Sequence, residues 1–189
     1  MSAETAVVVV DDATKKQVIL DNIRGVPDFP IPGILFWDVT TILLNPDAFR
    51  YTIELFTERY KSMKVDVVAG FEARGLIFGA PLALALNVPF VPLRKPGKLP
   101  GAKLSEEYGT EYSTDKIEIH VGAVTEGQRV LLVDDLIATG GTLKAGARLI
   151  ERCGGVVMEA ACVIELPFLH GRTAIGGIPL FVLVEKEGA

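Results

Sequence analysis

The sequence predicts an α/β fold in which helices flank a mostly parallel, twisted sheet. Two observations support this prediction. Short apolar segments typical of buried strands alternate along the 189 residues with longer segments of helical periodicity. Most of these segments are joined by only a few residues, and such alternation is typical of parallel strands that are covered on both faces. In a sheet of this kind, ligands bind beyond the carboxyl ends of the strands.

The N-terminal part, residues 1–40, is predicted to be a small region that precedes the core. A helix is expected over residues 12–24, with Asp12 as its cap. Residues 27–33 contain three prolines, too many for a helix or a central strand. Residues 34–37 then form a short apolar segment.

Residues 41–189 are predicted to form the core of the protein. Its helices are expected over residues 46–63, 76–86 and 142–152. Its strands are expected over residues 65–69, 90–93, 130–133, 156–166 and 180–184. Gly154 and Gly155 are the stop signal of the last helix.

Residues 94–114 depart from this alternation of helices and strands. The segment is rich in glycine, proline and charged residues, and a long loop of this kind inside a compact domain is often a flexible lid. Residues 117–121 alternate in polarity and are predicted to be a strand at its end. Taken alone, the cations Arg94, Lys95 and Lys98 would indicate only a solvated basic turn.

The composition argues against several classes of function. There are 19 lysines and arginines against 24 acidic residues, a formal charge of -5, so we expect no nucleic-acid partner. Residues 75–93 are uncharged, but prolines and an asparagine interrupt them, so no membrane span is predicted. Two cysteines cannot build a disulfide framework and indicate a reduced, cytoplasmic protein. Two histidines are too few for a multi-histidine metal centre.

Residues 130–142 carry the strongest chemical signal: an apolar strand, two aspartates, and a glycine-rich loop ahead of a helix. Backbone N–H groups and the positive end of the helix dipole converge at such a loop, so it is predicted to bind phosphate. No lysine follows the glycines, and the loop is therefore not a Walker motif. Because Asp134 and Asp135 would repel a phosphate, we expect them to face ribose hydroxyls or Mg2+. The alternative is that they merely end the strand.

The chain resembles the type I phosphoribosyltransferases, whose binding motif is an apolar strand, two acids and a Thr-Gly-Gly-Thr loop. The similarity covers nearly the whole chain, through residues 25–40, 69–79, 94–101, 106–112 and 164–172. This combination is typical of the family members that use adenine. The resemblance implies a cytoplasmic homodimer of purine salvage, which converts adenine and phosphoribosyl diphosphate into AMP and diphosphate. It also implies that Mg2+ arrives with the phosphoribosyl diphosphate rather than in a metal site of the protein.

The resemblance assigns roles to individual residues. The residues that would bind the 5′-phosphate are Ala138, Thr139, Gly140, Gly141 and Thr142. Those that would bind the ribose are Asp134 and Asp135. Those that would bind the diphosphate are Arg74, Arg94, Lys98 and Tyr112. Within residues 1–40, a hood segment would hold the adenine through Leu35 and Phe36, with Leu166 as an apolar side of the pocket. Glu111 would be the general base.

The sequence alone leaves three questions open. Trp37 stands where many family members have a basic residue, which removes one family contact to the diphosphate. Glu106 and Glu107 share the polar loop with Glu111 and are expected to be solvated and replaceable. Related enzymes use guanine, xanthine or orotate, and a regulator would keep the fold to sense phosphoribosyl diphosphate. Such a regulator needs a nucleic-acid-binding appendage, for which the length and charge leave no room.

Overall fold

The computed structural model describes residues 10–109 and 114–187 of the chain. Its strands are β1 (Arg24–Pro27), β2 (Leu35–Asp38), β3 (Val67–Phe71), β4 (Phe90–Leu93), β5 (Lys103–Gly109), β6 (Thr114–His120), β7 (Arg129–Ile137), β8 (Val156–Glu165) and β9 (Leu180–Glu185). Its α-helices are α1 (Asp12–Asp21), α2 (Pro46–Tyr60), α3 (Arg74–Leu86), α4 (Gly141–Arg152) and α5 (Gly171–Ala174). Short 3-10 helices cover Val39–Leu44 and Pro167–Leu169.

A parallel sheet forms the centre of the molecule, with strand order β4-β3-β7-β8-β9. The predicted parallel sheet flanked by helices is therefore confirmed. β7 lies in the middle, where Leu131, Leu132 and Val133 are fully buried. Because the strands are parallel, the carboxyl ends of β3, β7 and β8 meet at one edge of the sheet.

Alternate residues of the sheet enter two separate core clusters. Val68 and Val133 pack with residues of α1, α2 and α3 on one face. Ala69 and Leu132 pack with residues of α4 on the other face. Both faces are thus covered, which explains why these strands are continuous apolar segments in the sequence. Within the two described ranges, no helix is long and apolar enough to cross a membrane.

The N-terminal region differs from the prediction in two details. Asp11, rather than Asp12, caps α1, and its carboxylate accepts a hydrogen bond from the N–H of Thr14 at 2.8 Å. Residues Arg24–Pro27 form the unpredicted strand β1, which pairs antiparallel with β2. The division of the chain into residues 1–40 and 41–189 stays a prediction.

The predicted loop over residues 94–114 is wrong in its second half. β5 pairs antiparallel with β6 over its whole length, and the two strands form a hairpin. Half-buried positions alternate along β5 and include Leu104, Glu106 and Tyr108. A charge and a phenol occupy two of these inward positions, so the period of two was not visible in the hydropathy of the sequence. Residues 110–113 lie outside the described part of the chain.

Candidate active site

A cavity of about 560 Å³ opens at the carboxyl edge of the sheet. It is bordered by the loop after β3, the end of β7, the start of α4 and the hairpin. The lining residues that concern the chemistry are Arg74, Lys95, Tyr108, Asp115, Asp134, Asp135 and residues 138–142. The cavity therefore lies at the edge of the sheet where the sequence predicted a ligand.

Residues 138–142, the anion loop, connect β7 to α4. The helix begins at Gly141 and its N-cap is Gly140, which has no side chain, so the first-turn N–H groups stay available to an anion. Gly140 has a φ of +82°, and a Cβ atom there would lie 2.7 Å from the carbonyl oxygen of Gly171. Only glycine satisfies both conditions, which explains the glycine at this point of the loop.

Gly140→Ala is expected to lower the Tm well beyond the effect of backbone strain alone. Alanine at a left-handed φ costs about 1 kcal/mol, or roughly 2–4 °C in a chain of this size. The matched control is Gly127→Ala, because Gly127 has a φ of +75° but open space around it in the described structure. We expect the Gly140 variant to lose at least about twice as much Tm as the control, owing to the backbone clash. Equal losses in thermal unfolding would contradict the packing role of Gly140.

Asp134 and Asp135, the acid pair, lie on β7 and line the cavity. The N–H of Asp135 donates to the Asp134 carboxylate at 2.9 Å, and Asp135 is only 5% exposed. Burial, followed by the negative charge of Asp135, raises the pKa of Asp134 well above its ordinary value. Two adjacent carboxylates are stabilised by cations and hydrogen-bond donors, so the pair suits hydroxyl groups or a cation.

Arg74, the first residue of α3, supplies a cation to the acid pair. Its Nε lies 2.7 Å from Oδ2 of Asp135. The described residues give that oxygen no hydrogen bond, so the contact is ionic. The guanidinium carbon of Arg74 also lies 5.6 Å from the ring centroid of Phe36. Arg74 thus joins the acid pair to β2.

The three residues predicted to hold a base do not belong to the described lining of the cavity. Leu35 and Phe36 are half-buried on β2, and the ring of Phe36 meets that of Phe29 edge-on at 5.0 Å. Leu166 is 8% exposed, and its N–H donates to the carbonyl of Ile137 at 3.0 Å, which holds it against the end of β7. Their role as a base pocket stays a prediction.

Of the basic residues after β4, Lys95 lies in the described cavity lining, whereas Arg94 and Lys98 do not. Arg94 pairs with Glu72, with its Nε 2.8 Å from Oε2. The same oxygen accepts from the N–H of Lys95 at 2.8 Å. These contacts, that of Arg94 above all, lower the pKa of Glu72. Glu72 therefore fixes the backbone that carries Lys95.

Sequence reasoning missed Tyr108 and Asp115 as site residues. They lie opposite each other in the hairpin and both line the cavity. No local signal marks them, because only the pairing of β5 with β6 brings them to the anion loop. Glu111 and Tyr112, predicted as the general base and a diphosphate ligand, lie outside the described residues.

A model of the phosphoribosyl transferase domain matches residues 38–171, a range that contains the acid pair and the anion loop. The chain therefore belongs to the phosphoribosyltransferase family. Adenine phosphoribosyltransferase 1 of Triticum aestivum is 63% identical over 169 residues, which are 89% of this chain and 93% of the relative. Within the family, the chain belongs to the adenine phosphoribosyltransferases.

Solved structures of this group have the same fold. Adenine phosphoribosyltransferase from Thermoanaerobacter pseudethanolicus superposes with a TM-score of 0.87 at 50% identity, covering 90% of this chain and 99% of that one. The Saccharomyces cerevisiae enzyme, solved with adenine and an imino-altritol bisphosphate, has a TM-score of 0.85 at 41% identity. That match covers 90% of this chain and 99% of the yeast chain. The type I phosphoribosyltransferase fold is thereby confirmed.

Proposed function

We propose that the protein serves purine salvage by transferring the phosphoribosyl group of phosphoribosyl diphosphate to adenine, giving AMP and diphosphate. The observation that supports this most directly is that one cavity joins the anion loop, the acid pair and Arg74. The substrate is a sugar phosphate with free hydroxyls and a diphosphate leaving group. Its phosphate requires an anion site, its hydroxyls require acceptors and its diphosphate requires a cation, all within one cavity.

The 5′-phosphate binds the anion loop and the ribose binds the acid pair. The hydroxyls of Thr139 and Thr142 add donors to the N–H groups at the start of α4. The carboxylates of Asp134 and Asp135 accept hydrogen bonds from the ribose hydroxyls. These bonds offset the mutual repulsion of the two carboxylates, so the acid pair favours a hydroxylated ligand.

The diphosphate binds the cations on the other side of the acid pair. Arg74 and Lys95 approach it from the cavity lining, and Arg94, Lys98 and Tyr112 are proposed as further ligands. Arg74 contacts Asp135 through Nε, and the guanidinium carries further N–H donors that can bind phosphate oxygens.

Mg2+ is part of the proposal as a companion of the donor. Asp134 and Asp135 would hold it beside the donor, because carboxylate oxygens are the hard ligands that this cation prefers. When bound, it would neutralise part of the charge on the diphosphate.

In the reaction, the bond between the anomeric carbon and the diphosphate oxygen breaks, and its electron pair leaves with the diphosphate. Positive charge develops on the sugar, as in glycoside hydrolysis. Adenine N9 then bonds to the anomeric carbon from the opposite face, and Glu111 takes the proton that N9 releases. Arg74 and Lys98 stabilise the charge that builds up on the leaving group.

The adenine is held by the hood segment. Phe36 stacks on its face, backbone groups of Leu35 bind its polar edge, and Leu166 forms an apolar side of the pocket. Backbone donors and acceptors have fixed positions, so they distinguish an exocyclic amine from a carbonyl.

We propose a homodimer in the cytoplasm. The outward face of α3 is apolar where Ile77 is 37% and Leu84 83% exposed, a suitable surface for a second copy. A basic residue near the start of the segment after β4 would reach the neighbouring subunit's site. Cys153 and Cys162 are unpaired thiols, which suits a reducing compartment.

The test of this function is the choice of base. With phosphoribosyl diphosphate and Mg2+, we expect kcat/KM for adenine to exceed that for hypoxanthine or guanine by roughly 10³-fold or more. A base with a different hydrogen-bonding edge would leave the buried backbone groups of the pocket unpaired. Chromatography of the nucleotide products gives the measurement. Comparable formation of inosine monophosphate would overturn the adenine assignment but not the family. Formation of no nucleotide from any base would favour a sensor of the donor.

A further inference from the structure

A cluster of three charged residues attaches the hairpin to α4. The carboxylate of Glu106, on β5, accepts one hydrogen bond on each oxygen. The donors are Nε of Arg148 and Nη1 of Arg152, each at 2.7 Å. Nη1 of Arg152 also donates to the carbonyl of Ser105 at 2.6 Å. The side chain of Glu106 is only 16% exposed. The prediction that Glu106 is a solvated acid is therefore wrong, whereas its replaceability stays a prediction; we call these three charged residues the Glu106 cluster.

Tyr108 follows two positions later on the same face of β5, since alternate residues of a strand share a face. It lines the cavity, and a Cβ atom at Gly141 would lie 3.6 Å from its Cδ2. The same Cβ atom would lie 3.8 Å from the carbonyl oxygen of Gly109. The end of β5 thus packs directly on the anion loop, at the first residue of α4.

The phenol of Tyr108 is a protonated hydrogen-bond donor in this position. Burial raises its pKa, although the nearby hydroxyl of Thr142 opposes the shift. Thr142 is one of the residues to which the 5′-phosphate is assigned. A neutral phenol beside it adds an O–H donor without adding charge.

We propose that Tyr108 is a further residue of the 5′-phosphate site and that the Glu106 cluster is what positions it there. The inference rests on the proposed function, because it assigns the phosphate of AMP and of the donor to the anion loop. A two-stranded hairpin is marginally stable alone, so its place over the loop depends on its attachment to the body of the protein. Ile117 and Ile119 of β6 are buried in the core beside residues of α4. The Glu106 cluster adds a polar attachment of β5 to α4, the same helix whose start forms the loop.

The opposite face of the hairpin offers a matched control. Glu107 pairs with Lys116 at 2.6 Å, but their side chains are 60% and 46% exposed and the pair lies within the hairpin. An exposed pair of this kind contributes little. Glu107→Gln therefore makes the same chemical change one residue away without touching α4.

The experiment compares Glu106→Gln, Arg148→Gln/Arg152→Gln and Glu107→Gln with the wild type. We expect the first two to weaken AMP binding in calorimetry, and to raise KM for phosphoribosyl diphosphate, by roughly 5- to 20-fold, because preorganisation is lost. Adenine KM and kcat should stay within about twofold, since a general loss of structure would change all constants together. Amide exchange over residues 103–109 should speed up in the same two variants only.

Tyr108 is tested directly by Tyr108→Phe, which keeps the ring and removes the donor. It should weaken AMP binding by roughly 5-fold while amide exchange over residues 103–109 stays as in the wild type. Unchanged AMP affinity in Glu106→Gln, or faster exchange without loss of AMP affinity, would overturn the inference. If the wild type makes no AMP yet these binding and exchange differences appear, the proposed function fails and the inference on the phosphate site stands.

Discussion

Replacing Arg74 by glutamine is expected to lower kcat/KM for phosphoribosyl diphosphate by roughly 10²- to 10³-fold, the usual effect of removing one preorganised donor to a developing charge. The same change removes the cation that lies 2.7 Å from Asp135, a residue that is 5% exposed. A buried carboxylate without its cation should lower the free energy of unfolding by roughly 1–3 kcal/mol. Urea unfolding and steady-state kinetics measure the two effects separately.

The double variant Arg74→Gln/Asp135→Asn separates stability from catalysis. Removing the Asp135 charge takes away the cost of leaving it unpaired, so most of the lost stability should return. Activity should not return, because the cation for the diphosphate is still absent and the ribose has lost an acceptor. A double variant that regained both would show that Arg74 acts only through folding.

Arg59→Gln is the matched control for this pair. Arg59 donates to Glu159 at 2.8 Å, and Glu159 is 5% exposed, but neither residue belongs to the described lining of the cavity. We expect a comparable loss of stability with unchanged kcat/KM. Wild-type kinetics in Arg74→Gln, with instability equal to that of Arg59→Gln, would remove Arg74 from the diphosphate site.

The part of the site between β7 and α4 was predictable because its signals are local. An apolar strand, two acids and a glycine-rich loop follow one another within residues 130–142, and each feature is visible in the residues themselves. Even here the strand was predicted too short. β7 continues through the acid pair to Ile137, because pairing with β8 carries on past the end of the apolar residues.

The rest of the site depends on contacts between residues far apart in the chain. Lys95 faces the cavity because Glu72 holds its backbone, and Tyr108 does so because β5 pairs with β6 and packs on α4. The contact of Arg74 with Asp135 joins the start of α3 to β7, which are close only because β3 and β7 pair in the sheet. Residue types and spacing contain no information on such contacts, so the sequence predicted the kinds of group but not all of their partners.

Trp37 illustrates the same limit at a single position. Its ring packs against the core, and the ammonium of Lys186 lies 4.6 Å from the ring centroid. The resemblance implied that tryptophan stands where many family members have a basic residue, but the sequence did not reveal that Lys186 lies over the indole ring. A cation at this distance is attracted to the face of the indole, so a basic group remains in the region.

Glu111→Gln is expected to lower kcat by roughly 10²-fold or more while AMP affinity changes little. Glutamine keeps the shape and hydrogen-bonding reach of the side chain but cannot accept the proton that adenine releases. A carboxylate in open water is a weak base, with a pKa of about 4.3, and enclosure with a bound base would raise this pKa toward neutrality.

The control for Glu111 is Glu107→Gln, which alters a neighbouring acid that is 60% exposed and paired with Lys116. It should leave the rate of the chemical step unchanged, since an exposed ion pair contributes little to stability or shape. Single-turnover measurements are needed because product release would otherwise hide a slower chemical step. If Glu111→Gln matches the wild type in a single turnover, the proton goes elsewhere. An oxygen of the departing diphosphate, which bears the developing negative charge beside the anomeric carbon, is then the better acceptor.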